Sequence, residues 1–359
     1  MVTWHEAYDL SAQNTFGMKV SCRLYVEVTE PEDLLTLDFD ALPQPLFVMG
    51  GGSNLLFTRD FPGTVFHMAN QGQAVMPGLT GHLRVRVAAG VVFDDFCAWA
   101  AAEGLWGPEN LSLIPGEVGA SAVQNIGAYG VEAKDIIDTV HAFDLTTRTF
   151  VDIPGADCAY GYRASRFKTE WKGRYIITAV TFRLSAAPQP KLDYGGVRKA
   201  LEARFPVKPG MTEEVVMPDL IGHLTPQMVR ETVIAIREQK LPDPAKIGSA
   251  GSFFCNPVVS REHFERIVAM AKEENGPAYE VPHYDVGDRV KVPAAWMIDQ
   301  CGFKGATEGG AQVYPGQPLV IVNATGAATP EEIITLERRV IDTVRNKYGI
   351  ELHPEVEHV

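Results

Sequence analysis

The sequence predicts an α+β fold with more than one domain, and three observations carry that expectation. Two glycine-rich knots follow or enclose apolar runs: Gly50-Gly-Gly-Ser-Asn54 after Leu46 to Met49, and the stretch from Leu111 to Gly130. Up to residue 184, apolar residues recur mainly at period two, the spacing of strands. Past the proline-containing link Ser185 to Pro190 the recurrence becomes helical.

Taken in order, Val20 to Val28 reads as a strand, and Thr29-Glu-Pro31-Glu opens a helix with proline in its first turn. A strand runs into Gly50, and Thr64 to Met68 is another, closing a small unit near residue 70. Leu83 to Ala89 alternates, and Asp94 to Glu103 is a compact helix carrying Phe96, Trp99 and Ala100, stopped by Gly104. Val140 to Leu145 and Phe150 to Ile153 make a hairpin around Thr146-Thr-Arg148, and Tyr175 to Leu184 is the clearest strand. Three helices follow, opened by Thr225-Pro226, Ser260 and Thr329. Their apolar faces include Val229, Val233 and Ile236, then Phe264 and Ile267, then Ile333, Leu336, Val340 and Val344. These faces need a sheet, for which Val290 to Val292 and Leu319 to Val322 are candidates in a second α+β domain from about residue 220 to 348. Ile350 to Val356 closes the chain as a strand-like segment.

A chain of 359 residues can bury two or three cores. Its 32 basic and 45 acidic residues give a net charge of −13, which argues against nucleic acid and anionic membrane as partners. The five cysteines are scattered without C-x-x-C spacing and the nine histidines show no metal-ligand spacing, so neither disulfides nor a metal site is expected. The N-terminus lacks a basic-then-apolar leader and no run approaches ~18 apolar residues, so a soluble, cytoplasmic protein is expected.

Gly116, Gly119, Gly127 and Gly130 lack a Cβ, which permits positive φ and close approach to a ligand, while neighbouring N–H groups suit an anion. A phosphate-bearing cofactor follows, with Gly50 to Asn54 holding a second part of the same pyrophosphate; the alternative is a pair of tight loops without a ligand. Three polar clusters stand out. In Tyr160 to Lys168, Arg163 can fork onto a carboxylate beside the Tyr162 hydroxyl, or the segment is a turn with solvated arginines. In Gly248 to Pro257, Ser252 sits on a flexible turn without a histidine base at motif spacing, which speaks against a hydrolase nucleophile. In His353-Pro-Glu355, an acid stands near the chain end, either at a site or at the surface.

Together, Asn14-Thr-Phe-Gly17, Gly50 to Asn54, Ile114-Pro-Gly116, Gln124 to Gly130, Tyr162-Arg163, Gly251-Ser-Phe-Phe254 and Pro354-Glu-Val356 closely resemble the UDP-N-acetylenolpyruvylglucosamine reductase family over about residues 14 to 356. Leu192-Asp-Tyr194-Gly-Gly and Lys240-Leu-Pro-Asp-Pro244 resemble the subgroup with a substrate-covering tyrosine loop. The resemblance implies two FAD-binding lobes of the vanillyl-alcohol-oxidase type (1–70 and 71–187), a linker with the tyrosine loop (188–224), a substrate domain (225–348) and a terminal strand (349–359). It implies FAD held by Gly51, Gly52, Ser53 and Asn54, with backbone contacts from Ile114, Gly116, Gly119, Ser121, Asn125, Ile126 and Gly127.

It further implies NADPH as co-substrate, a UDP-sugar carrying an enolpyruvyl ether, and hydride transfer from NADPH to flavin N5 and on to the substrate β-carbon. That addition leaves negative charge on the α-carbon and carboxylate. By resemblance Arg163 faces this charge, Ser252 protonates the α-carbon, Glu355 is a second stabilising acid and Tyr162 braces the carboxylate. Tyr194, Lys240, Asn256 and Gln317 then meet the uridine diphosphate. Two departures stand out: Glu357-His-Val359 replaces the family's basic or aromatic residue and Ile-Gly, and Cys255 stands where a lysine is found elsewhere. No Rossmann fingerprint marks a nicotinamide site. A monomer is expected. The competing readings are a flavin-dependent sugar or alcohol oxidase, which gives no reason for Arg163, Ser252 and Glu355 together, and a silent sugar-nucleotide-binding protein.

Overall fold

The structure, a computed structural model, describes residues 1–76, 81–205 and 223–359. It comprises two compact units, the first formed by Met1–Asp9, Ser21–Gly52 and Phe61–Gln239, the second by Leu10–Val20, Ser53–Asp60 and Lys240–Val359. Both mix helices with sheets, giving the predicted α+β class. Residues 206–222 of the expected linker lie outside the described residues.

The first unit holds two sheets. In one, Val2–Asp9 pairs antiparallel with Ser21–Val28, which runs parallel to Phe61–Met68, itself parallel to Leu46–Met49. The other is antiparallel throughout, in the order Thr149–Pro154, Ile137–Asp144, Tyr175–Ser185, His82–Ala88, Gln73–Met76. Tyr175–Ser185 lies at its centre and is buried on both faces from Ile176 to Phe182, which accounts for a run of apolar residues and threonines with no charge. Phe182 stacks on Phe96 of helix Phe93–Ala102 with ring centroids 4.6 Å apart, inside a core that also takes Phe66 and Phe143.

In the first unit, three elements differ from expectation. Val2–Asp9 was not anticipated, because it is an edge strand whose residues are exposed or half-buried and whose alternation of Val2, Trp4 and Tyr8 is broken at Glu6. The helix expected at Pro31 is a 3-10 segment, Pro31–Thr36, since its single buried side chain, Leu34, supplies no apolar stripe. Helix Pro226–Lys240, expected with the C-terminal domain, packs in the first unit: Val229, Val233 and Ile236 share a core with Trp106, Leu192, Val197 and Leu201.

In the second unit, a four-stranded antiparallel sheet runs in the order Gly248–Ser249, Ile321–Asn323, Ala311–Val313, Thr307–Glu308, and Val258–Ser260, Arg289–Lys291 and Tyr284–Val286 form a smaller one. Helix Pro330–Tyr348 starts at a full capping box between Thr329 and Glu332, buries Ile333, Leu336, Val340 and Val344, and stops at Gly349 in the left-handed region. Residues 350–356 are not a strand; Pro354, which lacks an N–H, makes an isolated bridge to Phe254, and the strand is Glu357–His358, parallel to Leu55–Leu56. No described helix is long and apolar enough to cross a membrane.

Arg230, buried on helix Pro226–Lys240, forks onto Asp94 with contacts of 2.5 and 2.9 Å. Burial alone would raise the Asp94 carboxyl, but the bonds from Arg230 and the Leu113 N–H outweigh it and hold it below its ordinary value. The stability this pair contributes is present above the unfolded aspartate value of about 3.9 and is lost as pH falls through the lower folded value. Asp94→Asn strands a buried guanidinium and is expected to lower unfolding free energy at pH 7 by about 2–4 kcal/mol, the deficit shrinking toward pH 3. Denaturant unfolding across pH measures both.

Candidate functional site

Within the first unit Gly50 and Gly51 lie against the second glycine-rich loop. A Cβ on Gly51 would come within 3.5 Å of Gly116 Cα, and one on Gly50 within 3.2 Å of Glu117 Oε2. Gly52 and Gly116 take positive φ, +62° and +109°. Gly119 and Gly127 are needed for space: a Cβ would sit 3.0 Å from Ala89 Cβ at the first and 2.9 Å from Arg163 Nη1 at the second. The loops therefore meet edge to edge at Gly51 and Gly116, and the missing side chains there leave a backbone edge of the kind that suits a pyrophosphate.

The residues after Gly116 mainly shape this edge. The amides of Ile114, Gly119, Ser121 and Ile126 bond to Leu111, Ala89, Glu117 and Ser121 carbonyls, and Ser121 Oγ donates to Val118 O at 2.6 Å. Asn125, fully buried at φ +48°, donates to Gly161 O at 2.7 Å and to Glu132 Oε2 at 3.1 Å, and accepts from Lys134 N–H at 3.0 Å.

Arg163 itself has φ +54°, a region non-glycine residues rarely keep. The Asn125 bond to Gly161, Ser165 Oγ on Val123 O at 2.6 Å and Lys168 Nζ on Gln124 Oε1 at 2.6 Å clamp its segment. Its half-buried guanidinium donates to Gly127 O at 2.7 Å and lies 5.4 Å from the centre of the Tyr162 ring. The fork is thus held by the glycine-rich stretch, unlike a freely solvated arginine.

Tyr194 comes to the end of that same stretch: a Cβ on Gly130 would meet Tyr194 Cβ at 3.1 Å, and one on Gly195 would strike the Tyr129 ring at 2.8 Å. Fully buried Asn110 ties the two segments, donating to Tyr129 O at 2.8 Å and Lys191 O at 2.7 Å. Asn110 gave no sequence signal, Tyr129 stood only within the Gln124 to Gly130 motif, and Arg237 on helix Pro226–Lys240 was not singled out. Burial pulls the Arg237 guanidinium below its ordinary value, Tyr129 and Asp94 oppose this, and Arg163 adds like charge. Its seven-residue spacing from Arg230, two helical turns, was the available signal.

In the second unit, Ser252 follows Gly251, which has φ +71°. The neighbouring Phe253 carbonyl accepts the Glu355 N–H at 2.8 Å, and Cys255 N–H donates to His353 O at 2.9 Å. Serine and acid, distant in sequence, thus stand on paired segments. Asn54 Nδ2, in the same unit, donates to Glu355 O at 3.0 Å and supports the acid's segment. Asn256 Oδ1 accepts the Ala294 N–H at 2.9 Å at the start of helix Ala294–Gln300. Gln317 is half-buried in the turn between Tyr314 and Val320, Ser53 is half-buried beside Asn54, and Lys240 is exposed at its helix end.

The Asn14-Thr-Phe-Gly17 motif holds the strand that leads into the serine turn. Thr15 Oγ1 donates to Ser249 O at 2.6 Å, Ser249 N–H bonds to Thr15 O at 2.9 Å, and a Cβ on Gly248 would come 2.2 Å from Phe16 O.

A family model described as FAD binding domain matches residues 23–149, and one described as UDP-N-acetylenolpyruvoylglucosamine reductase, C-terminal domain, matches residues 243–359. Fold and loops thus define a flavin-binding protein with a reductase-type C-terminal domain. A UDP-N-acetylenolpyruvoylglucosamine reductase of Bacteroides fragilis (strain YCH46) is 44% identical over 356 residues, covering 99% of both chains. Those of Porphyromonas gingivalis and Neisseria meningitidis serogroup B are 42% and 40% identical, covering 98% and 97% of this chain and 98% and 95% of theirs. The fold is similar to the crystal structure of UDP-N-acetylenolpyruvylglucosamine reductase from Thermus caldophilus, with a TM-score of 0.63 and 23% identity over 100% of this chain and 98% of that one. The chain belongs to the UDP-N-acetylenolpyruvoylglucosamine reductase family.

Buried Asn14 donates to Leu10 O at 2.8 Å and Met18 O at 3.0 Å and accepts from Met18 N–H at 2.8 Å. Asn14→Ala leaves these groups unsatisfied and is expected to lower stability by about 2–4 kcal/mol, read by denaturant unfolding.

Proposed function

We propose that this chain reduces the enolpyruvyl ether of UDP-N-acetylglucosamine to UDP-N-acetylmuramate, with FAD as resident cofactor and NADPH as reductant, in peptidoglycan precursor synthesis. Gly51, Gly52, Ser53, Asn54 and the loop from Ile114 to Gly127 would hold the FAD. Bound FAD supplies the two-electron relay between the nicotinamide and the substrate double bond.

The chain's own residues manage charge and protons. Electrons arriving at the β-carbon leave negative charge on the α-carbon and carboxylate, which Arg163 stabilises as a fixed cation. Its clamped backbone and the 2.7 Å bond to Gly127 O set its direction before substrate arrives. Ser252 Oγ delivers the proton to the α-carbon, and Glu355 is the second stabilising acid. Tyr162 braces the carboxylate. Tyr194, Lys240, Asn256 and Gln317 meet the uridine diphosphate, and Arg237 reinforces the positive potential near Arg163 in a protein of net charge −13. The working form is a cytoplasmic monomer without nucleic-acid or membrane partners.

The observation that carries this reading is the 2.8 Å bond from Glu355 N–H to Phe253 O, which sets the Ser252 segment beside an acid in a chain of this family. An oxidase passing electrons to oxygen has no use for that proton donor.

Anaerobic mixing tests the reading: NADPH should bleach a yellow protein, and the enolpyruvyl nucleotide should restore the colour. Rapid peroxide formation would instead favour an oxidase, and a colourless protein that binds UDP-sugar a silent binder. Ser252→Ala should leave the bleaching near normal while slowing substrate reduction by about 10²–10⁴-fold. Gly127→Ala, whose Cβ would meet Arg163 Nη1 at 2.9 Å, should lower turnover on the order of 10²-fold by displacing the guanidinium.

A further inference from the structure

Behind the two glycine loops of the first unit lies a hydrogen-bonded relay with no part in the reaction just described. Tyr25 Oη and His67 Nδ1 are 3.0 Å apart, and His67 Nε2 lies 2.9 and 3.1 Å from the two oxygens of Glu117. The side chains of His67 and Glu117 are each only 14% exposed. Glu117, on the second loop, reaches the first: a Cβ on Gly50 would sit 3.2 Å from its Oε2 and one on Gly51 3.8 Å from its Oε1. An anionic carboxylate is thus built into the floor of a cradle shaped for a pyrophosphate, and like charges at such range repel strongly where water is excluded.

His67 supplies the opposite charge. The groups facing it are Glu117 from the second loop, and Tyr25 and Glu27 from the adjoining strand, Glu27 Oε2 lying 3.7 Å from Nδ1; Tyr8 stacks on Tyr25 at 4.4 Å, and Cys22 lies on the same strand. Burial disfavours the imidazolium, but Glu117 and Glu27 outweigh burial and raise the His67 pKa above its ordinary value.

We propose that His67 is a positioning residue for the cofactor: its ion pair neutralises Glu117 beneath Gly50 and Gly51, so that the two loops accept a dinucleotide pyrophosphate. The inference rests on the flavin reading above, which places FAD in this cradle.

The test is FAD affinity, read by flavin fluorescence titration of the full chain stripped of flavin, for wild type, His67→Gln, Glu117→Gln and the double variant. His67→Gln should weaken binding at pH 7 by tenfold or more, and the double variant should return to within about threefold of wild type, because removing the acid removes the need for its counter-charge. Wild-type affinity should also fall as pH rises through the His67 titration, whereas Glu117→Gln should show no such fall. A His67→Gln protein that binds FAD like wild type overturns the proposal. So does a double variant that keeps the defect while circular dichroism shows a native fold. Should His67→Gln fail to fold, the pH profile of Glu117→Gln decides: a fall persisting as in wild type overturns the proposal, and its absence supports it. Wild type that binds no FAD at all would sink the flavin reading itself.

Discussion

Backbone can touch backbone only where no Cβ intervenes, and the first unit is organised around that constraint. Gly51 against Gly116 brings two loops edge to edge, Gly127 makes room for the Arg163 guanidinium, and Gly130 and Gly195 let the tyrosine segment settle on Tyr129. A methyl group at 127 would come 2.9 Å from Arg163 Nη1, one at 195 would come 2.8 Å from the Tyr129 ring, and one at 130 would crowd Tyr194 Cβ at 3.1 Å. The glycines therefore do more than bend the chain: they bring a cation, a tyrosine loop and two glycine-rich turns together in one unit.

That closeness comes with strain. Leu113, Asn125, Tyr129 and Arg163 all hold positive φ without being glycine. Such conformations cost roughly 1–3 kcal/mol each and persist only where the surroundings over-determine them. Here the surroundings are side chains reaching carbonyls: Asn125 to Gly161, Ser165 to Val123, Arg163 to Gly127 and Asn110 to Tyr129. Asn125 thus serves as a structural bolt whose amide is committed three ways inside the protein.

The second unit solves a different problem, holding a small hydroxyl on an irregular turn. Its sheet ends in the two-residue strand Gly248–Ser249, too short to stand alone, and the Asn14 motif flanks it on the side away from Ile321–Asn323. Asn323 Nδ2 reaches the same motif through Phe16 O at 3.1 Å. The chain's last residues pair with Leu55–Leu56 and so fix Glu355, whose backbone is bonded on one side to Phe253 and on the other to Asn54.

The sequence by itself determined the α+β class, the central strand from Tyr175, the capped helix from Thr329 and the presence of tight glycine turns at both knots, because these depend on local periodicity, caps and missing Cβ atoms. It also marked Arg163, Ser252 and Glu355 through short motifs. Only the tertiary structure decided which glycines serve positive φ and which serve space, that Asn125 braces a loop and that Asn54 braces an acid. It alone placed helix Pro226–Lys240 in the first unit and set His67 beneath Glu117. The reason is physical: those facts depend on which distant segments meet, and neither spacing nor composition records whether a buried polar group finds its partner on a neighbouring turn or across the fold.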